Sequence, residues 1–113
     1  MNGSWVRTTL VSGDYFYNPL TRDASGNLYG TVGFNTQYQD GYVYELSPPA
    51  NGGNWTQTML HEFAGGRDGN GPGAGLTWGL DGALYGTTLG GGVLEKCIYM
   101  NNPGCGVVFR VAP

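Results

Sequence analysis

Short runs of alternating apolar and polar residues, separated by glycine-rich turns, make up most of the chain. One run places Leu28, Gly30 and Val32 on one face of a strand. Tyr29 and Thr31 then point to the opposite face. A period of two residues over four to eight positions predicts a half-buried β-strand, and no segment is predicted to be helical. The pattern therefore predicts an all-β protein built from short strands.

The predicted strands are rich in Val, Thr, Leu and aromatic residues, which favour extended backbone. They cover residues 5–12, 20–22, 28–33, 42–46, 55–63, 76–78, 83–88 and 107–111. The segments between them contain Gly, Asn, Asp and Pro, which favour turns. At residues 23–27, Asp23 can accept hydrogen bonds from its own turn and Gly26 can take a positive φ. Residues 64–73 are predicted to be a long flexible connection.

The sequence also repeats itself. The tetrapeptide Leu-Tyr-Gly-Thr occurs at residues 28–31 and again at 84–87, an offset of 56. Residues 41–48 match 106–113 at an offset of 65, and Trp-x-x-Thr-x-Leu occurs at 5–10 and 55–60. These matches predict a single domain of two tandem units, approximately 1–48 and 49–113, in which the strand at Trp55 opens the second unit. Gly30 and Gly86 stand in mid-strand in both units, which suggests close approach by the backbone of a neighbouring sheet.

Two units of four antiparallel strands each fit two blades of a β-propeller. Two blades cannot close a ring, so an apolar face would remain exposed at each end. We therefore expect a homo-oligomer, a trimer of six blades or a tetramer of eight. In that ring the strand starting at Trp5 would dock on the last blade of a neighbouring chain. Trp5 and Trp55 are expected to pack between blades. The alternative is an excised piece of a longer propeller.

Composition narrows the class of partner. The chain has 113 residues, 22 glycines, 12% charged residues and a net charge of −3. Glycine at this level argues against helices, in which each glycine costs about 1 kcal/mol relative to alanine. The five Lys and Arg residues are scattered, so no basic patch exists for nucleic acid. No run of about 20 apolar residues exists to span a membrane.

Candidate chemistry is sparse, and no catalytic residue, metal site or cofactor is predicted. The single histidine, His61, lies beside Glu62, but no nucleophile or second acid is placed to complete a triad, so a packing or hydrogen-bonding role is favoured. Aromatic faces with nearby Asp and Arg side chains are typical of sugar-binding sites. Trp78, Arg67 and Asp68 are therefore the predicted glycan-binding residues.

The two cysteines, Cys97 and Cys105, both lie in the insertion of the second unit. A disulfide between them would close the insertion and suit an oxidising compartment, and two unpaired thiols are the alternative. The predicted function is a non-catalytic ligand-binding or scaffold protein, with a carbohydrate as the candidate ligand. The alternatives are a polysaccharide-active hydrolase or lyase with its site at the ring centre, and a purely structural surface repeat.

Three motifs carry a resemblance to a known family. They are Asp-x-x-Gly-Asn-Leu-Tyr-Gly-Thr in the first unit, and Leu-His-Glu-Phe-x-Gly-Gly-x-Asp-Gly and Gly-Cys-Gly-Val-Val-Phe-Arg-Val in the second. The chain resembles the tandem repeats of large bacterial extracellular proteins called choice-of-anchor or GloVer repeats. The first unit departs from the pattern, since residues 11–14 replace the His-Glu-Phe stretch. The resemblance implies a propeller-like β architecture and an extracellular or cell-surface location, and it implies no known activity.

Overall fold

The computed structural model describes residues 4–34, 37–99 and 102–113. These residues form two antiparallel four-stranded sheets, one small hairpin and a short 3₁₀ turn at Gly66–Asp68. The prediction of an all-β chain is confirmed, and the part described contains no α-helix. Within the same residues, no helix is long and apolar enough to cross a bilayer.

The first sheet is a meander in which each strand pairs with the next one along the chain. Its strands are β1 (Thr21–Arg22), β2 (Leu28–Val32), β3 (Tyr42–Ser47) and β4 (Thr56–Glu62). The turn between β1 and β2 forms as the sequence predicts, because an Asp23 carboxylate oxygen accepts the backbone N–H groups of Ser25 and Asn27, each at 2.9 Å. A register shift at Val43 and Tyr44 interrupts the pairing of β3 with β4.

The second sheet is arranged around its longest strand. Its strands are β5 (Asn70–Pro72), β6 (Thr77–Trp78), β7 (Leu84–Gly90) and β10 (Val108–Val111). Strand β10 pairs with β7 from Val108 opposite Thr87 to Val111 opposite Leu84. Strands β5 and β6 also pair with β7, β6 near its beginning and β5 near its end. Three strands, β5, β6 and β10, thus share β7 as their central partner.

A separate hairpin, β8 (Ile98–Tyr99) and β9 (Asn102–Pro103), lies within the insertion between β7 and β10. A disulfide joins Cys97 to Cys105 across its base, with the two Cα atoms 4.8 Å apart. The backbone N–H of Gly104 also donates to the carbonyl of Cys97 at 2.6 Å. The insertion is therefore closed both covalently and by a backbone hydrogen bond.

The two sheets pack against each other through a hydrophobic cluster. The first sheet contributes Tyr29 and Val43, and the second contributes Leu84, with Phe109 and Val111 packed against it. We call the side of each sheet that meets this cluster its junction face. The opposite side of the first sheet, the N-terminal face, carries Val32, Tyr42, Tyr44 and Leu46, and Val11 and Phe16 pack on it. The opposite side of the second sheet, the free face, carries Tyr85, Thr87, Val108 and Arg110.

The mid-strand glycines are needed for close packing, but against side chains rather than the backbone of another sheet. A Cβ atom at Gly30 would lie 2.5 Å from the hydroxyl oxygen of Tyr44 and 3.0 Å from a methyl group of Leu20. A Cβ atom at Gly86 would lie 2.5 Å from Phe109 and 2.9 Å from a methyl group of Leu76. An aromatic ring from the paired strand thus lies across each glycine, which corrects the prediction of backbone approach.

The predicted strand at residues 5–12 is wrong. The described residues 4–12 contain no strand, and Trp5 is 97% exposed. A strand needs a partner edge, and no strand among the described residues pairs with this segment. Trp55, by contrast, packs against the cluster on the N-terminal face. The strand predicted to open the second unit is β4, and it pairs with β3 as the last strand of the first sheet. The sheets are therefore offset by one strand from the sequence units.

Candidate binding cleft

A cleft of about 610 Å³ lies between the N-terminal segment and the first sheet. Polar and aromatic side chains line it: Asp14, Tyr15, Gln37, Tyr38, Tyr42 and Gln57. They come from the loop before β1, from the loop before β3, from the first residue of β3 and from β4. The fold thus brings together three segments that are far apart in the sequence.

Tyr42 is fixed at the base of the cleft by its strand and by the preceding glycine. Gly41 has a φ of +88°, and the carbonyls of Val32 and Gly33 lie so close that a side chain there would collide with them. Tyr42 pairs with Val32 on β2 and Glu62 on β4, so its backbone is held on both sides. Its phenol ring consequently has a defined direction into the cleft.

The hydroxyl of Tyr42 donates a hydrogen bond to Oδ2 of Asp14 at 2.6 Å. The other oxygen of Asp14 accepts the backbone N–H of Tyr15 at 2.8 Å. Burial, followed by the bond to Asp14, raises the pKa of Tyr42, so the phenol stays protonated at neutral pH. The pair therefore presents a carboxylate, oriented by a neutral phenol, to the cleft.

Aromatic rings surround this pair. Tyr38 packs edge-on against Tyr42 with ring centroids 5.5 Å apart, and Tyr44 packs against Tyr42 from within the sheet at 6.1 Å. At the surface, the half-exposed ring of Tyr15 stacks on Phe34 at 5.3 Å and an interplanar angle of 14°. The cleft therefore combines flat apolar surfaces with hydrogen-bonding groups, which suits a ligand that has both apolar faces and hydroxyls.

The cleft is poorly equipped for hydrolysis of glycosidic bonds. Glycosidases generally need two carboxyl groups about 5 to 9.5 Å apart. Among the described residues that line the cleft, Asp14 is the one carboxylate. Its partner Tyr42 has a pKa raised further above the neutral range, which makes it a weak acid and no base.

The residues predicted to bind glycan lie elsewhere. Trp78 is on β6 at the junction of the sheets, where its indole N–H donates to the carbonyl of Arg22 at 2.8 Å and its ring packs edge-on against Tyr29 at 5.2 Å. Arg67 and Asp68 are neighbours in the 3₁₀ turn. The cleft lining includes none of the three.

Arg67 and Asp68 each have partners of their own. The guanidinium of Arg67 lies 3.3 Å from the carboxylate of Glu95, and both side chains are mostly exposed. One oxygen of Asp68 accepts the backbone N–H of Ala64 at 2.8 Å and lies 3.0 Å from Nε2 of His61. These contacts tie the 3₁₀ turn to the end of β4 and to the insertion.

Three further carboxylates, two in turns and one on β3, lie within hydrogen-bonding distance of tyrosine hydroxyls. Asp23 and Glu45 both lie within hydrogen-bonding distance of the Tyr29 hydroxyl, at 3.0 and 2.7 Å. In the second sheet, Asp81 accepts from the Tyr85 hydroxyl at 2.7 Å and from Nε of Arg110 at 2.9 Å. These bonds hold the pKa of the Asp81 carboxyl below its usual range. In the described part of the chain, no group of three or more His, Cys, Asp or Glu side chains is placed to hold a metal ion.

Sequence reasoning missed the cleft because its residues are dispersed. Asp14 directly precedes the aromatic loop Tyr15-Phe16-Tyr17, and Gln37, Tyr38 and Tyr42 fall within six consecutive residues. Two short segments that mix aromatic and polar residues were the available signal. No family model, curated protein or solved structure matches the chain. Its function must therefore be argued from its own geometry.

Proposed function

We propose that the chain is a non-catalytic binding protein for a hydroxyl-rich ligand, a carbohydrate, which occupies the cleft between the N-terminal segment and the first sheet. The observation that carries the proposal is the cleft itself, where the Asp14 carboxylate, oriented by Tyr42, lies among aromatic rings and the amides of Gln37 and Gln57. Its volume of about 610 Å³ falls within the range of about 300 to 1,000 Å³ that is typical of small-molecule sites.

The chemistry of a pyranose matches these groups. One face of the ring carries C–H groups that pack on an aromatic surface, for which Tyr15 at the rim is the most accessible candidate. The equatorial hydroxyls donate to carboxylates and exchange hydrogen bonds with amides, which Asp14, Gln37 and Gln57 supply. A charged carboxylate forms hydrogen bonds about twice as strong as neutral ones, so Asp14 would select ligands that donate.

The test is a glycan array followed by calorimetry with the best ligand. The variant Tyr15→Ala should weaken binding about tenfold, equivalent to about 1.4 kcal/mol, because the stacking surface is lost. Tyr17→Ala is the matched control, since Tyr17 is an exposed tyrosine of the same loop that does not line the cleft. It should bind as well as the parent chain.

Other outcomes separate the alternatives. Release of shortened products from a bound polysaccharide would support the hydrolase or lyase in place of a binding protein. Equal loss of binding in Tyr15→Ala and Tyr17→Ala would remove the cleft as the site. An array with no binder would favour the purely structural surface repeat.

A second candidate function is a scaffold that assembles as an oligomeric β-propeller from three or four copies. A specific observation favours it: Val108 on the free face is 77% exposed, whereas Val43, its sequence counterpart at the junction, is 0% exposed. The Cys97–Cys105 disulfide supports a place outside the cytosol, since such bonds persist in oxidising compartments. The resemblance to extracellular tandem repeats supports the same location. Light scattering at micromolar concentration tests this role, and a mass three or four times the 12.0 kDa of the chain is expected.

A further inference from the structure

The free face of the second sheet matches a face that the chain buries elsewhere. On the first sheet, Tyr29, Thr31 and Val43 are buried where the second sheet covers them. Their counterparts in the sequence repeat are Tyr85, Thr87 and Val108, of which Tyr85 is half-buried and the other two are exposed. The same types of side chain therefore occur twice, once covered and once uncovered.

The edges of the corresponding strands β3 and β10 also differ, one being paired and the other unpaired. Strand β3 pairs with β2 on one side and with β4 on the other. Its sequence counterpart β10 pairs with β7 on one side, and on its other side no strand pairs with it among the described residues. A row of unpaired N–H and C=O groups on an exposed edge is a template for another strand.

The chain also contains a second copy of the segment that forms β4. Residues 55–60 read Trp-x-x-Thr-x-Leu and lie in or next to β4, and residues 5–10 have the same pattern. Residues 5–10 form no strand, and both Trp5 and Val6 are almost fully exposed. The free edge thus belongs to the sequence counterpart of β3, and the segment that forms no strand is the sequence counterpart of β4. Since β3 and β4 pair with each other, their counterparts are suited to pair in the same way.

We propose that residues 5–10 of one copy add to the free edge of β10 of a second copy as an antiparallel strand. The pairing of β3 with β4 fixes the register, since Glu45 lies opposite Thr58 and Leu46 opposite Gln57. Carried over by the repeat, Arg110 of one copy lies opposite Thr8 of the next. This inference rests on the scaffold proposal, which supposes that copies of the chain assemble. It adds that the surface is the edge of β10 and that the partner is residues 5–10 of another copy.

Two faces become covered when the strand is added. Val108 and Thr87 of the free face would meet the N-terminal face of the neighbouring copy, as Val43 meets the second sheet within the chain. On that N-terminal face Leu20 is 53% exposed, whereas its counterpart Leu76 at the junction is 8% exposed. Head-to-tail packing therefore accounts for the exposure on both sides with a single interface. Strand addition supplies backbone hydrogen bonds, and the apolar face supplies the burial.

The register is tested by forming a disulfide between copies. The double variant Thr8→Cys/Arg110→Cys should give covalent oligomers on a non-reducing gel, because directly opposite residues in an antiparallel pair have Cα atoms about 4.5 to 5.5 Å apart. In the control Thr9→Cys/Arg110→Cys, the two side chains point to opposite faces, and cross-linking should fall at least about tenfold. Peptide mapping identifies the new bond in the presence of the native disulfide. A cross-link that forms only within one chain would overturn the assignment to a second copy.

The interface is tested separately by mass. Removal of residues 1–9 should convert the oligomer to a monomer of about 11 kDa, slightly below the 12.0 kDa of the whole chain. Val108→Asp should raise the dissociation constant of assembly more than about tenfold, because a charge would enter an apolar contact. Leu80→Asp is the matched control, since Leu80 is fully exposed and lies in the turn between β6 and β7 rather than on a strand of this face. It should leave the mass unchanged.

The results distinguish the inference from the proposal beneath it. A parent chain that is monomeric at micromolar concentration refutes both the scaffold and the strand addition. An oligomer that survives removal of residues 1–9 and gives no cross-link between Thr8→Cys and Arg110→Cys leaves the scaffold in place and refutes the strand addition.

Discussion

Gly86 offers the sharpest test of how the second sheet packs. A Cβ atom there would lie 2.5 Å from Cζ of Phe109 and 2.9 Å from a methyl group of Leu76, and both distances are far below normal contact. Forcing extra volume into a packed core costs about 1 to 3 kcal/mol. Replacing glycine by alanine also restricts the unfolded chain, which returns about 0.4 to 1 kcal/mol. The variant Gly86→Ala should therefore lose about 1.5 kcal/mol of unfolding free energy.

Urea unfolding followed by tryptophan fluorescence measures this loss of unfolding free energy. For a chain of this length, the same loss should lower the melting temperature by roughly 6 °C. Gly73→Ala is the matched control, because Gly73 is exposed and its nearest atoms, 3.1 Å away, belong to the flexible side chain of Leu89. Its stability should change by less than about 0.5 kcal/mol.

A second variant tests the cause directly. Phe109→Leu removes the ring atom that meets the new methyl group, so the double variant Gly86→Ala/Phe109→Leu should be more stable than the sum of the single effects by at least about 0.5 kcal/mol. A Gly86→Ala chain as stable as the parent, or a double variant with purely additive effects, would refute the steric account.

The remaining predictions concern the insertion and the turn at Asp81. Replacing Cys97 and Cys105 by serine should lower the unfolding free energy by up to about 2.5 kcal/mol, because the short covalent loop no longer restricts the unfolded chain; equal denaturation midpoints for the two proteins would contradict this. The hydroxyl of Tyr85 and the guanidinium of Arg110 lower the pKa of Asp81 in the folded chain. Its contribution is therefore complete above the unfolded value of about 3.9 and is lost as the pH falls below it. The free energy of unfolding should therefore fall less between pH 6 and pH 2 for Asp81→Asn than for the parent chain. Identical dependences on pH in the two proteins would refute this assignment.

Sequence alone was sufficient where structure depends on local chemistry. Strands β2 and β7 were predicted at residues 28–33 and 83–88 and occur at Leu28–Val32 and Leu84–Gly90. The alternation of apolar and polar residues and the preceding turn, which together define such a strand, all lie within about ten consecutive residues. The hydrogen bonds of Asp23 to its own turn follow from the same local rules.

The wrong or missing predictions concern elements whose structure depends on contacts with residues far away in the sequence. The segment at Trp5 has strand-like composition, but a strand forms only when an edge accepts it, and composition carries no information about that edge. Strand β5 was missed because its residues, Asn-Gly-Pro, have low strand preference. The β8–β9 hairpin was missed because each of its strands is only two residues long, too short to show an alternating pattern. The cleft was missed because Asp14, Tyr42 and Gln57 meet only after the first sheet has formed.

The one-strand offset between sheets and sequence units has a practical consequence for protein engineering. A shortened gene that stops at Pro48 would encode a first sheet without β4, and the hydrogen-bonding groups of β3 that β4 normally satisfies would face solvent. Such a fragment would be prone to precipitate. A boundary placed after Phe63 retains the whole meander, so designers who graft or recombine these sheets should cut there and disregard the borders that the repeated tetrapeptide suggests.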